Sequence, residues 1–60
     1  MLAVFEEMFE KVMDKYDVAW WVAFEDYMHE VDALIVEALG VEALDSAEYD
    51  EWYTEMAEDL

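Results

Sequence analysis

The chain has 60 residues, no Cys, and eighteen Asp and Glu against two Lys, which gives a formal net charge of -16. Disulfides and thiolate metal sites are therefore excluded. Direct contact with DNA, RNA or anionic membranes is disfavoured, because all three are polyanions. Yet 60% of the residues are hydrophobic, whereas disordered acidic tails are poor in apolar residues. The sequence predicts one small folded domain, residues 1–60, with an acidic surface.

The first predicted element is a helix from Leu2 to Tyr16. Its apolar residues recur at helical spacing and form one stripe, while its acids and both lysines take the other face. The stripe consists of Phe5, Met8, Phe9, Val12, Met13 and Tyr16. The first ten residues lack the basic region and the apolar run of a signal peptide or membrane span. We therefore expect a cytoplasmic protein with no membrane partner.

The second predicted helix runs from Val18 to Leu39. Asp17 is its predicted N-cap, and Gly40 is its predicted left-handed C-cap, followed by Val41 for the accompanying apolar contact. Its first part, Val18–Phe24, is apolar on all sides and suits a strand as well as a helix. We favour the helix, because no turn residues surround this run and no second strand candidate exists. An all-apolar run on so small a protein is expected to pack against something, and a second copy is one option.

The third predicted helix follows a short connection, 41–44, and extends to Leu60. Asp45 and Glu48 have the spacing of a capping box at its start. Glu58 and Asp59 lie at its C-terminal end, where negative charge opposes the helix dipole. The predicted fold is all-α, either a three-helix bundle or a helical hairpin plus a third helix, as a monomer or a dimer.

Metal binding and catalysis find little support in the residues. The segment Asp45–Met56 has the length of an EF-hand loop but lacks the acids and the glycine that such a loop needs. Asp26 and His29 are one turn apart, but a carboxylate-bridged metal site needs a second such pair, and the chain has one His. Ser46 has no local base. We expect no enzyme, no metal and no cofactor.

Acids and aromatic residues are the candidates for partner binding. Acids that recur one helical turn apart have carboxylates about 5–6 Å apart, a spacing of the same order as that of phosphates on a DNA strand. The acids predicted to contact a partner are Glu6, Glu10, Asp14, Asp26, Glu30, Asp50, Glu51, Glu55, Glu58 and Asp59. Trp and Tyr dominate interface hot spots. The predicted aromatic contacts are Trp21, Trp52 and Tyr53, with the core as the competing interpretation for each.

A net charge of -16 equals that of about 27 Å of duplex DNA, at one charge per roughly 1.7 Å. In size, charge and helicity the chain resembles the small acidic DNA mimics of phages and other mobile elements, such as anti-restriction and anti-CRISPR inhibitors. A second pattern lies in residues 24–57: Phe24, Met28, Val31, Leu34, Leu39, Gly40, Leu44, Asp45, Trp52, Tyr53, Met56 and Ala57. This pattern resembles short phage proteins of unknown function, which implies a helical hairpin. Neither likeness assigns a role to a particular residue.

Three functional hypotheses follow from these features. In the first, the acidic face occupies the nucleic-acid channel of a basic host or defence protein, such as a CRISPR effector or a restriction enzyme. In the second, the chain is a homodimeric helical module without mimicry, and the acids keep it soluble. In the third, it is an acidic interaction peptide that folds on its partner.

Overall fold

The computed structural model describes residues 3–60, and this part of the chain is helical with no strand. The elements in chain order are α1 (Ala3–Tyr16), α2 (Trp20–Asp26), α3 (Met28–Leu39), a 3-10 helix (Val41–Asp45) and α4 (Ala47–Glu58). The predicted all-α class is confirmed. Leu2, where the first helix was predicted to begin, lies outside the described residues.

The end of α1 differs from the prediction at Asp17. This residue has φ 53, which is the left-handed conformation that closes many helices. The N–H of Val18 then donates to the carbonyl of Met13 at 3.2 Å. A bond that spans five residues in this way is one of the two hydrogen bonds of a Schellman motif. Asp17 therefore ends α1 and does not cap α2. Asp tolerates the left-handed conformation better than most residues, which allows this role.

The predicted second helix, 18–39, is two helices separated at Tyr27. Val18 and Ala19 are non-helical, and α2 begins at Trp20 with Ala19 as its N-cap and no capping side chain. Tyr27 has φ -121 and ψ 11, although its own N–H and C=O stay hydrogen bonded to the adjoining turns at 2.9–3.2 Å. Its ring stacks on Tyr16 with 4.3 Å between centroids and 13° between planes. Neither Pro nor Gly is present at this break.

Gly40 ends α3 as predicted but in a different conformation. It has φ 95 and ψ 160, so its φ is positive while its ψ is extended and not left-handed helical. Its N–H donates to Val36 at 2.8 Å, and Val41 is exposed where the prediction gave it an apolar contact. The predicted connection 41–44 is most of the 3-10 helix.

The N-cap of α4 is Ser46, one residue after the prediction. Its Oγ accepts a hydrogen bond from the N–H of Tyr49 at 3.1 Å. The predicted capping box of Asp45 and Glu48 is wrong, because the 3-10 helix includes Asp45 and the first extended residue is Ser46. The third helical position is then Tyr49, which has no carboxylate to complete the box.

The core is built from one to three side chains of every α-helix, with α1 supplying the most. The buried apolar residues are Phe5, Phe9 and Val12 on α1, Ala23 and Phe24 on α2, Val31 and Ile35 on α3, and Trp52 on α4. No polar or charged residue is buried within the described chain. The result is a small helical bundle of 28 × 24 × 18 Å.

Candidate functional site

Nearly every carboxylate lies on the surface. Of the eighteen acids, all but Glu30 and Asp32 are exposed, and these two are half-buried. Within residues 3–60 the only salt bridge joins the Nζ of Lys15 to a carboxylate oxygen of Glu30, at 3.0 Å. The negative charge of the surface is therefore almost entirely uncompensated by the chain itself.

Glu30 belongs to a cluster that joins α1 to α3. Besides Lys15, it accepts a hydrogen bond from the hydroxyl of Tyr16. The bond from Tyr16 and then the bond from Lys15 lower the pKa of Glu30, because both donors favour the ionised carboxylate. The same contacts with Glu30 raise the pKa values of Lys15 and Tyr16. Glu30 was predicted to contact a partner, but its oxygens are engaged within the molecule.

Two further carboxylates accept hydrogen bonds from aromatic side chains of α4. Glu6 on α1 accepts from the Nε1–H of Trp52 at 3.1 Å. Asp32 on α3 accepts from the hydroxyl of Tyr49 at 2.6 Å. Burial, and after it the bond to Asp32, raises the pKa of Tyr49 above its ordinary value. In the described residues of a chain with two lysines, aromatic N–H and O–H groups thus supply three of the four donors that tie carboxylates to the fold.

The other predicted acids stay on the surface without such bonds. On α1, Glu10 and Asp14 are exposed and lie one turn apart. Asp26 is the exposed last residue of α2. The remaining ones are exposed on α4 and just after it: Asp50, Glu51, Glu55, Glu58 and Asp59. Together with Glu6 on α1 and Glu30 on α3, the predicted acids are thus distributed over all four α-helices.

Several exposed acids lie outside the predicted set, because the spacing of one turn selected only some of them. They are Glu7, Asp17, Glu25, Glu37, Glu42, Asp45 and Glu48. The role of Asp32 as an acceptor for α4 was also missed. Its place beside the apolar stripe of α3 was the one available signal, since such a position brings a side chain to a helix–helix boundary.

The structure separates the three predicted aromatic contacts. Trp52 is 4% exposed and lies against Phe5, Phe9 and Tyr49, with 5.8 Å between the ring centroids of each pair. It is a core residue, and its predicted partner contact is therefore corrected. Trp21 is 51% exposed and Tyr53 is 40% exposed. These two remain available to a partner.

The part of the chain that the structure describes contains no candidate metal site and no candidate membrane-spanning helix. Within residues 3–60 no group of three His, Cys, Asp or Glu side chains is arranged to hold a metal ion. None of the helices described is both long enough and apolar enough to cross a membrane. No protein-family model, curated protein or solved structure matches the chain. Function is therefore inferred from the acidic and aromatic surface alone.

Proposed function

We propose that the protein is an acidic inhibitory binding protein that mimics nucleic acid and blocks a basic nucleic-acid-binding protein in the bacterial cytoplasm. A CRISPR effector or a restriction enzyme is the proposed class of target. The proposal rests on one observation: a net charge of -16 on a body 28 Å long. Duplex DNA of that length carries about 16 charges, at one per roughly 1.7 Å.

The placement of the acids supports this proposal over enzymatic function. Carboxylates on the surface, with one internal salt bridge in the described residues, leave the field of the protein strongly negative. Lysine and arginine side chains that normally hold phosphates also form charge-assisted hydrogen bonds with carboxylates. The proposed activity is therefore occupation of a basic channel, with no chemical step.

Identification of the target comes first. The tagged protein is used to capture proteins from bacterial cytoplasm, the resin is washed at rising salt, and the retained protein is identified. Binding of the purified target is then measured with and without duplex DNA. The proposal expects competition with DNA and a steep fall of affinity with salt, because counterion release governs contacts of this kind. Tight binding to a target already filled with DNA, unchanged by added salt, would refute it.

A matched pair of variants tests which acids matter. Glu51→Gln with Glu55→Gln neutralises two predicted contacts on α4. Glu37→Gln with Glu42→Gln neutralises two exposed acids outside the predicted set and leaves the same net charge. The proposal expects the first pair to weaken target binding more than the second. Equal losses would show that total charge, and not these positions on α4, governs binding.

Exposed apolar side chains favour a second candidate function, the homodimeric interaction module. They are Trp21, Leu39, Val41, Tyr53 and Leu60. Repulsion between two copies of charge -16 opposes such a dimer, and salt reduces this repulsion. Sedimentation at low and high salt tests the module. A salt-promoted dimer that binds no nucleic-acid-binding protein would favour it, and a monomer at micromolar concentration in both conditions would rule it out.

A further inference from the structure

Two exposed aromatic residues from different helices adjoin the same core residue. Tyr53 on α4 lies against Phe24 on α2, with 4.8 Å between ring centroids and 45° between planes. Trp21 is three residues before Phe24, so its Cβ lies about 5–6 Å from that of Phe24 on the same side of α2. Tyr53 therefore adjoins Phe24 through its ring and Trp21 adjoins it through helical spacing, while the ring of Trp21 meets that of Trp20 with 6.0 Å between centroids. We call the surface around Trp21 and Tyr53 the aromatic patch.

Each residue of the aromatic patch has an exposed carboxylate one helical turn away. Glu25 follows Trp21 by four residues on α2, and Asp50 precedes Tyr53 by three residues on α4. Residues at these spacings are neighbours on a helix surface. Neither acid makes a hydrogen bond or an ion pair to another side chain in residues 3–60, unlike Glu6, Glu30 and Asp32. The patch therefore combines exposed aromatic side chains with carboxylates that have no side-chain partner in the described residues.

The molecule already contains a cation held by this combination of groups. The Nζ of Lys15 lies 5.1 Å from the ring centroid of Tyr16, while the carboxylate of Glu30 is 3.0 Å from the same nitrogen. A cation over a ring face and a carboxylate at its side satisfy both the cation–π and the ionic interaction. On the aromatic patch no cation of the described chain takes that position.

We propose that the aromatic patch, with Glu25 and Asp50, docks arginine side chains of a protein partner. This inference rests on the proposed function, in that it takes the partner to be a basic protein. Arginine fits better than lysine, because its planar guanidinium stacks on aromatic faces while its N–H groups bind carboxylates in pairs. A second copy offers no such group, since the chain has no Arg and its two lysines lie on α1. Nucleic acid is repelled by the surrounding acids.

The test compares two peptides of equal charge, deca-arginine and deca-lysine, as probes of the full chain. Affinities are measured by titration calorimetry at fixed salt. The arginine peptide is expected to bind more tightly, and Trp21→Leu is expected to weaken its binding about two- to fivefold, the range for a cation–π contact at an exposed site. Leucine keeps the apolar character of position 21 but lacks the π face. Tyr53→Leu provides a second variant with the same expectation.

Matched controls separate the patch from general charge and general apolarity. Glu25→Gln is compared with Glu37→Gln, which removes the same charge from α3. Trp21→Leu is compared with Leu39→Ala, which alters an exposed apolar residue of α3. The patch predicts that Glu25→Gln and Trp21→Leu reduce the preference for arginine and that Glu37→Gln and Leu39→Ala do not. Circular dichroism melts of each variant establish that the fold is retained.

Three results would overturn the inference: equal affinity for the two peptides, an arginine preference unchanged in both Trp21→Leu and Tyr53→Leu, or a homodimer in sedimentation that Trp21→Leu dissociates. The peptide assay contains no nucleic acid, so its failure is distinct from failure of the proposed function. A target that resists competition by DNA refutes the proposed function. A target that DNA displaces, combined with equal peptide affinities, refutes only the arginine site.

Discussion

Trp52 is the residue at which a single substitution is expected to cost most stability. A buried Trp removes about 150–250 Å² from water, which corresponds to about 4–6 kcal/mol at roughly 25 cal/mol per Å². Measured losses for Trp→Ala in cores are about 3–5 kcal/mol. A domain of 60 residues has a total stability of about 3–9 kcal/mol. Trp52→Ala is therefore expected to remove a third or more of the free energy of unfolding, and to leave much of the protein unfolded if the total is small.

Trp21→Ala is the matched control, because it removes the same atoms from an exposed position. Surface substitutions usually change stability by about 0.5 kcal/mol or less. Urea denaturation followed by far-UV circular dichroism measures both variants, and thermal melts add a second reading, at about 4–8 °C of Tm for each kcal/mol in a domain of this size. Trp52→Phe keeps a ring but loses the donor to Glu6, so its cost is expected to be intermediate. Equal losses for Trp21→Ala and Trp52→Ala would refute the placement of Trp52 in the core.

Three further predictions concern backbone conformation and charge. Asp17→Gly is expected to raise the free energy of unfolding by about 1 kcal/mol and Gly40→Ala to lower it by about 1 kcal/mol, because both positions have positive φ. Thermal melts measure both changes, and Tm shifts in the same direction for the two variants would contradict this expectation. The stability that the lowered pKa of Glu30 contributes, measured against Glu30→Gln by urea denaturation, is expected to be complete above the ordinary pKa of 4.5 and to disappear as pH falls through the lower folded value; a difference independent of pH from 7 to 3 would contradict it. Glu58→Gln with Asp59→Asn is expected to add about 0.3–1 kcal/mol per charge at low salt and little at 1 M salt, measured by urea denaturation at both salt concentrations.

The sequence predicted helices well where one face is apolar and the rest polar. The stripe of α1 gave a helix that ends at Tyr16, and the apolar positions of α3 gave an end at Leu39, as found. It failed at Tyr27, where nothing in the local pattern marks a break and where the ring stacks on Tyr16 of another helix. The strand alternative for 18–24 was removed only by the structure.

The sequence predicted that acids and aromatic residues form the candidate site, but it did not predict well which individual residues are available to a partner. Trp21 and Trp52 are the same residue type on helices of similar pattern, yet one is exposed and the other is buried. Helical spacing defines a face but does not say how wide the covered part of that face is. Glu30 was selected by its spacing from Asp26, whereas its actual partners, Lys15 and Tyr16, lie on α1. Long-range pairing of this kind is not encoded in local spacing.

Two small groups among the eighteen acids differ in their relation to the fold. Glu6, Glu30 and Asp32 accept hydrogen bonds that tie helices together. Glu58 and Asp59 lie at the negative end of the α4 dipole, where their charge lowers the stability of the helix.

Solubility does not account for the second group. A net charge of magnitude about 2–8 is enough to keep a small domain soluble, and this chain carries -16. Repulsion within so dense a surface also disfavours the compact state. The proposed basic partner would account for acids that weaken the fold and exceed the need for solubility. If neutralising Glu58 and Asp59 raises stability and weakens binding to the captured target, then the same carboxylates that cost folding energy contribute to recognition, as the mimicry of nucleic acid requires.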